Sequence, residues 1–137
     1  MIGHKLLATA ILPATIAATI ALGACSTSGA TRNTARLDVT AAPAVADCAT
    51  TSPELQVYNT PSRAVKYVVV LRDLNQPDSE HGRGEATVNP AGIIPAGTLE
   101  DFQGPCSSAG SASYRYDVQA VASGGEVLGT GSYNVTM

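Results

Sequence analysis

The stretch Val65-Lys66-Tyr67-Val68-Val69-Val70-Leu71 decides the fold class. It is rich in β-branched and aromatic residues and short, which predicts a central strand buried on both faces. Further on, Tyr114 to Ala122 alternates: Tyr114, Tyr116, Val118 and Ala120 share one face, with Arg115, Asp117 and Gln119 on the other. That period of two marks a half-buried strand. Ser123-Gly124-Gly125 reads as a turn and Glu126 to Val135 as extended chain, so the C-terminal part is a hairpin. Leu55 to Tyr58 and Glu85 to Val88 are weaker strand candidates. Residues 74–84 and 89–110 carry Pro, Gly, Ser and Asp and read as loops. After Cys25 no stretch has helical periodicity, and the predicted class is all-β.

The chain opens with a different signal. His4 and Lys5 precede an uncharged apolar run from Leu6 to Leu22, which ends in Leu22-Gly23-Ala24-Cys25. A basic start, an apolar core and small residues before a cut are the parts of a secretory signal, which is excluded from fold reasoning. The final four residues resemble the lipobox of bacterial lipoproteins. That resemblance implies a diacylglycerol on the Cys25 thiol and cleavage before it. The competing reading is one transmembrane helix, which needs about 20 apolar residues. Here there are 17, Pro13 among them, and no basic stop-transfer cluster follows, the next positive charges being Arg32 and Arg36. The expected organisation is therefore a signal peptide over 1–24, a polar tether over 25–36 and one small domain over 37–137. The tether is too poor in large apolar residues to offset its ordering entropy. The expected location is the cell envelope, with the membrane as partner through the lipid on Cys25.

Without Lys5 the chain keeps seven basic against eleven acidic side chains, a net charge of −4. That balance argues against nucleic acid, which selects a basic footprint. Cys48 and Cys106 are the remaining cysteines. In an exported chain such a pair is more often a disulfide than a metal or redox site. Two thiols and the single histidine left, His81, make a poor zinc set, since structural zinc takes four ligands. No metal and no cofactor is expected.

Cys48, then Ser52-Pro53-Glu54-Leu55, then Tyr58-Asn59-Thr60-Pro61, resembles the opening of the bacterial phosphatidylethanolamine-binding protein family, also called Raf kinase inhibitor-like. Further segments match in order. Val68 to Pro77 resembles a strand ending in Asp-x-Asp-x-Pro. Thr87-Val88-Asn89 and Ile94-Pro95-Ala96-Gly97 resemble the Val-Val-Asn and Ile-Pro-x-Gly segments. Phe102-Gln103-Gly104-Pro105-Cys106 resembles Tyr-x-Gly-Pro-Cys, and Tyr114-Arg115-Tyr116 stands where His-Arg-Tyr is expected. The resemblance implies an antiparallel β-sandwich with a small anion pocket, for phosphate or a phospholipid head group, at one end. It also places both cysteines near that end. Imidazoles and loop amides would donate to the anion, and aspartates would hold the imidazoles.

This chain departs from that pattern. Asn75 replaces the second aspartate, Gly84 falls where one pocket histidine is expected, and Tyr114 where the other is. Ser107 and Ser108 follow Cys106 in place of prolines, and the helix expected before the last strand is replaced by the turn at Gly124-Gly125. The expected pocket is thus an eroded one, framed by Asp73, Pro77, His81, Gly104, Pro105 and Tyr114. Each residue also has a plain structural reading: Asp73 as a turn cap, His81 as a solvated histidine beside Asp78 and Glu80, Tyr114 and Tyr116 as packing, Arg115 as a surface charge. No catalytic residue is expected. Asp78-Ser79-Glu80-His81 gathers acid, hydroxyl and imidazole, but sequence neighbours rarely converge on one reacting atom. The alternative to a binding lipoprotein is an immunoglobulin- or fibronectin-like interaction module with no small ligand, which shares the sandwich without shared sequence.

Overall fold

The computed structural model describes residues 33–42, 45–106, 110 and 112–136. In chain order its strands are β1 (Ala35–Arg36), β2 (Asp38–Ala42), β3 (Glu54–Tyr58), β4 (Ala64–Asp73), β5 (Gln76–Thr87), β6 (Ile93–Ile94), β7 (Ser113–Ala122) and β8 (Val127–Thr136). No helix occurs among the described residues, and the class is all-β, as expected. The strands form two sheets, ordered β1-β8-β7-β4-β5 and β2-β3-β6. Every strand pairing is antiparallel except that of β1 with β8. The expected signal peptide over 1–24, Cys25 and the start of the expected tether lie outside the described residues.

Alternation along β4 and β7 builds the core. Their register sets Val69 beside Val118 and Leu71 beside Tyr116. Val39, Leu55, Val57 and Ile94 of the three-stranded sheet join these residues in one buried cluster. Burying a side chain such as Leu55 or Leu71 contributes roughly 1.5–3 kcal/mol. Two tyrosines are also fully enclosed, Tyr67 and Tyr116. The Tyr67 hydroxyl shares a 2.6 Å hydrogen bond with Thr60 Oγ1. The Tyr116 hydroxyl meets no hydrogen-bonding partner among the described residues.

The opposite face of β4 differs from the expectation of burial on both sides. Val68 is half-buried there, and Val65, at the register shift between Ala64 and Lys66, is 45% exposed. Val70 and Val121 are buried but lie outside the core cluster. Charged side chains run over this face. Arg72 lies 3.5 Å from Glu80 and 3.4 Å from Asp117, Arg115 2.7 Å from Asp117, and Lys66 2.9 Å from Glu85. Each such exposed pair adds at most about 1 kcal/mol. Val68 and Val70 line one depression with Arg72, Arg83 and Asp117.

Three elements differ from the sequence reading, the first being β6, which falls inside residues 89–110, read as loop, and pairs with Leu55 and Gln56 of β3. Residues 76–84, read as loop, belong to β5. This is an edge strand, where Pro77 and outward charges are tolerated because one side needs no ladder partner. Its glycines answer close backbone approach: a Cβ on Gly84 would sit 2.2 Å from the Thr98 carbonyl oxygen. Bonds from Arg83 N to Glu100 O and from Glu100 N to Arg83 O tie the 98–103 segment to the strand. Ala35 and Arg36, read as the end of a tether, form β1 and pair with Gly129 and Thr130. The chain then crosses between sheets at Leu37. Gly129 and Gly131 give it room, because a Cβ at Gly131 would lie 2.4 Å from the Leu37 carbonyl oxygen.

Candidate functional site

Asp73 closes β4 and Tyr114 stands near the start of β7, and the register pairs them across the sheet. Asp73 is buried, and its Oδ1 accepts the Asn75 N–H at 2.8 Å. This is the capping role an aspartate takes at the start of a turn. His81, read as a loop residue, sits on β5 and meets the Tyr114 ring edge-on, with centroids 5.1 Å apart and an interplanar angle of 83°. The His81 Nε2 lies 3.4 Å from Ser79 Oγ. Burial, and then the Asp73 charge, raise the Tyr114 phenol above its ordinary range, so it is neutral and able to donate.

The Gly104–Pro105 loop runs beside these residues through its backbone. Gln103 N donates to His81 O at 2.8 Å, Gly104 N to Ala49 O at 3.0 Å, and Cys48 N to Pro105 O at 2.8 Å. The Gln103 and Gly104 amides are therefore consumed inside the protein, and Pro105, fully buried, has no N–H. Pro77 is exposed and lines a shallow depression with Gln76, Asp78 and Ser79. The structure thus sets Tyr114 beside both Asp73 and His81, ties Gln103 to His81, bonds Gly104 and Pro105 to the Cys48–Ala49 segment instead, and leaves Pro77 exposed on the edge strand.

Gly84, the position matched to a pocket histidine, lines a cleft of about 630 Å³ along β5. Glu80, Glu85, Glu100 and Asp101 line it as well, with Arg83 as its cation. Arg83 is held 2.8 Å from Glu80, and that hydrogen bond is the largest cause lowering the Glu80 carboxyl below its usual range. Such walls repel an anion.

Cys48 and Cys106 form a disulfide, S–S 2.07 Å and Cα–Cα 4.4 Å. Asp47 stands close enough to both sulfurs to suggest a three-ligand metal group. Bridged sulfurs are not thiolates, so that group lacks its two strongest ligands.

Two residues of the matched motifs carry roles the sequence reading missed. Ser52 is buried; its Oγ accepts the Leu99 N–H at 3.2 Å and its carbonyl accepts Gly97 N at 2.9 Å. Asn89 donates from Nδ2 to Ile93 O at 2.6 Å and accepts Ile93 N at 3.1 Å on Oδ1, which completes the end of β6. A small polar residue before a proline and an asparagine after a strand were the available signals. Compared with protein-family models and with curated proteins, the chain has no match.

Proposed function

We infer that this chain is a lipid-anchored envelope protein with a phosphatidylethanolamine-binding-like, Raf kinase inhibitor-like domain. In this reading it is a non-catalytic binding protein whose anion pocket is eroded. The observation that carries it is the setting of Gly84. The Thr98 carbonyl excludes any side chain there, and the cleft around it is lined by four carboxylates. Tyr114 neighbours both Asp73 and His81, but the nearby amides of Gln103 and Gly104 are already bonded. A charge-assisted hydrogen bond contributes roughly 1.5–3 kcal/mol. Two missing imidazole donors therefore weaken phosphate binding by a factor of about 10² or more.

Titrating inorganic phosphate and short-chain phosphatidylethanolamine by NMR tests the pocket. Millimolar or absent binding at His81 and Tyr114 is expected. Micromolar binding abolished by Asp73→Ala would overturn the erosion. Cys25→Ser tests the anchor, with loss of processing and of membrane association expected; a variant that behaves like the parent refutes it. An immunoglobulin- or fibronectin-like interaction module is the second reading, favoured by the long β7–β8 hairpin. NMR shifts confined to that hairpin on adding a protein partner would select it.

A further inference from the structure

Strand β8 pairs with β7 from Val127 to Thr136, but on its other side β1 meets it only at Gly129 and Thr130. The chain leaves for the other sheet at Leu37, and no other described residue pairs along 132–136 on that side. The facing of the peptide groups follows from one bond. Thr130 O accepts the Leu37 N–H at 2.8 Å, so the Thr130 peptide groups point to the open side. With a two-residue period, those of Ser132, Asn134 and Thr136 do the same, while those of Tyr133 and Val135 face β7. β1 runs parallel to β8, with Ala35 beside Gly129 and Arg36 beside Thr130.

Edge strands are ordinarily blunted by charge or proline. The sheet's other edge, β5, carries Pro77, Asp78, Glu80, Arg83 and Glu85. Strand β8 itself lacks such a guard, reading Val-Leu-Gly-Thr-Gly-Ser-Tyr-Asn-Val-Thr with neither charge nor proline, while Asp38 of β2 lines a depression beside Gly131 and Ser132. Tyr133 and Val135 are half-buried against the rim of the core.

We propose that the Ser132–Thr136 edge is an association surface for a second copy of this chain, joined antiparallel about a two-fold axis at Asn134. Self-complementarity selects this occupant. The axis sets Ser132 against Thr136 of the second copy and Asn134 against Asn134, all with outward peptide groups. It brings Tyr133 against Val135 in the closer, non-hydrogen-bonded type of pair, an aromatic–β-branched contact that favours pairing. No like charges meet, and a two-fold contact needs a patch that is its own complement. A strand pair this short buries less than the roughly 1,200 Å² of a standard interface. The dimer is therefore weak and depends on concentration.

Amide hydrogen exchange on the intact chain in mild detergent, followed over a wide concentration range, tests this. The Ser132, Asn134 and Thr136 amides should gain protection with concentration, to roughly tenfold at nine-tenths dimer. The Tyr133 and Val135 amides should be protected throughout. Asn134→Pro removes one outward N–H where an edge strand tolerates proline. Asn134→Lys sets two ammonium groups across the axis. Both variants should keep Tyr133 and Val135 protected and sediment as monomers at concentrations where the parent dimerises. The proposal fails if the parent remains monomeric with those three amides unprotected, or if both variants associate like the parent. It also fails if the three amides are protected in the monomer, which would mean that the chain covers its own edge. Protection only on adding another protein would assign the edge to that partner instead.

Discussion

At Tyr116 a hydroxyl is enclosed in the core without a hydrogen-bonding partner among the described residues, whereas Tyr67, equally enclosed, shares a bond with Thr60. An unsatisfied buried polar group costs about 1–3 kcal/mol. Tyr116→Phe removes that group with little change of shape, and the expected result is unchanged to about 1 kcal/mol higher stability in urea. A clear loss would show that the hydroxyl is bonded. Burial, and then the Tyr133 charge, raise the Tyr116 phenol well above the ordinary value of 10.0. The linkage sign follows. Stability is fully present below the unfolded tyrosine's pKa and falls as pH rises above it, because only the unfolded chain ionises readily. Tyr114 is raised too and acts in the same direction. Urea unfolding at stepped alkaline pH should show that decline, and Tyr116→Phe should make it shallower. A stability that rises with alkaline pH would contradict this account.

Strand β7 was legible because its burial follows a two-residue period, β4 because it is dense in β-branched and aromatic residues, and the hairpin followed from the Gly turn between β7 and β8. Strand β5 was not. Its outward positions carry charge, and its inward positions include Gly82 and Gly84, where neighbouring backbone leaves little room for side chains. An edge strand packed against backbone shows no apolar alternation. β1 was hidden in the same way, being two residues long at the end of a polar segment. The sheet crossing at Leu37 left a trace in Gly129-Thr130-Gly131, legible only once the close approach is known. Gly131→Ala should therefore cost about 1–3 kcal/mol through overpacking. The Leu37 amide, bonded to Thr130 O, should exchange faster in that variant. Unchanged stability and unchanged Leu37 exchange would show that the corner yields freely.

For the whole molecule, the Cys48–Cys106 bridge closes a sequence separation of 58. On the chain-entropy model a loop of that size stabilises by about 4 kcal/mol, with about 2–4 typical of measured bridges. The bonds from Cys48 N to Pro105 O and from Gly104 N to Ala49 O hold the same two segments by backbone alone. The reduced protein should keep its sheet spectrum and lose about 2–4 kcal/mol in denaturant titrations. Complete unfolding on reduction under native conditions would show that the core cannot stand without the bridge. Of the candidate site, Asp73 and Tyr114 were readable as a pair of strand ends, and the disulfide followed from cysteine arithmetic. The place of His81 was not readable, because it depends on the strand that the sequence concealed. The termini carry a mechanical consequence. β1, near the amino end of the described chain, lies parallel to β8, which ends at Thr136. Tension between the two ends pulls these strands in opposite directions along their length. Their hydrogen bonds, with Leu37 seated against Gly129 and Gly131, are then strained together in shear and do not peel one after another.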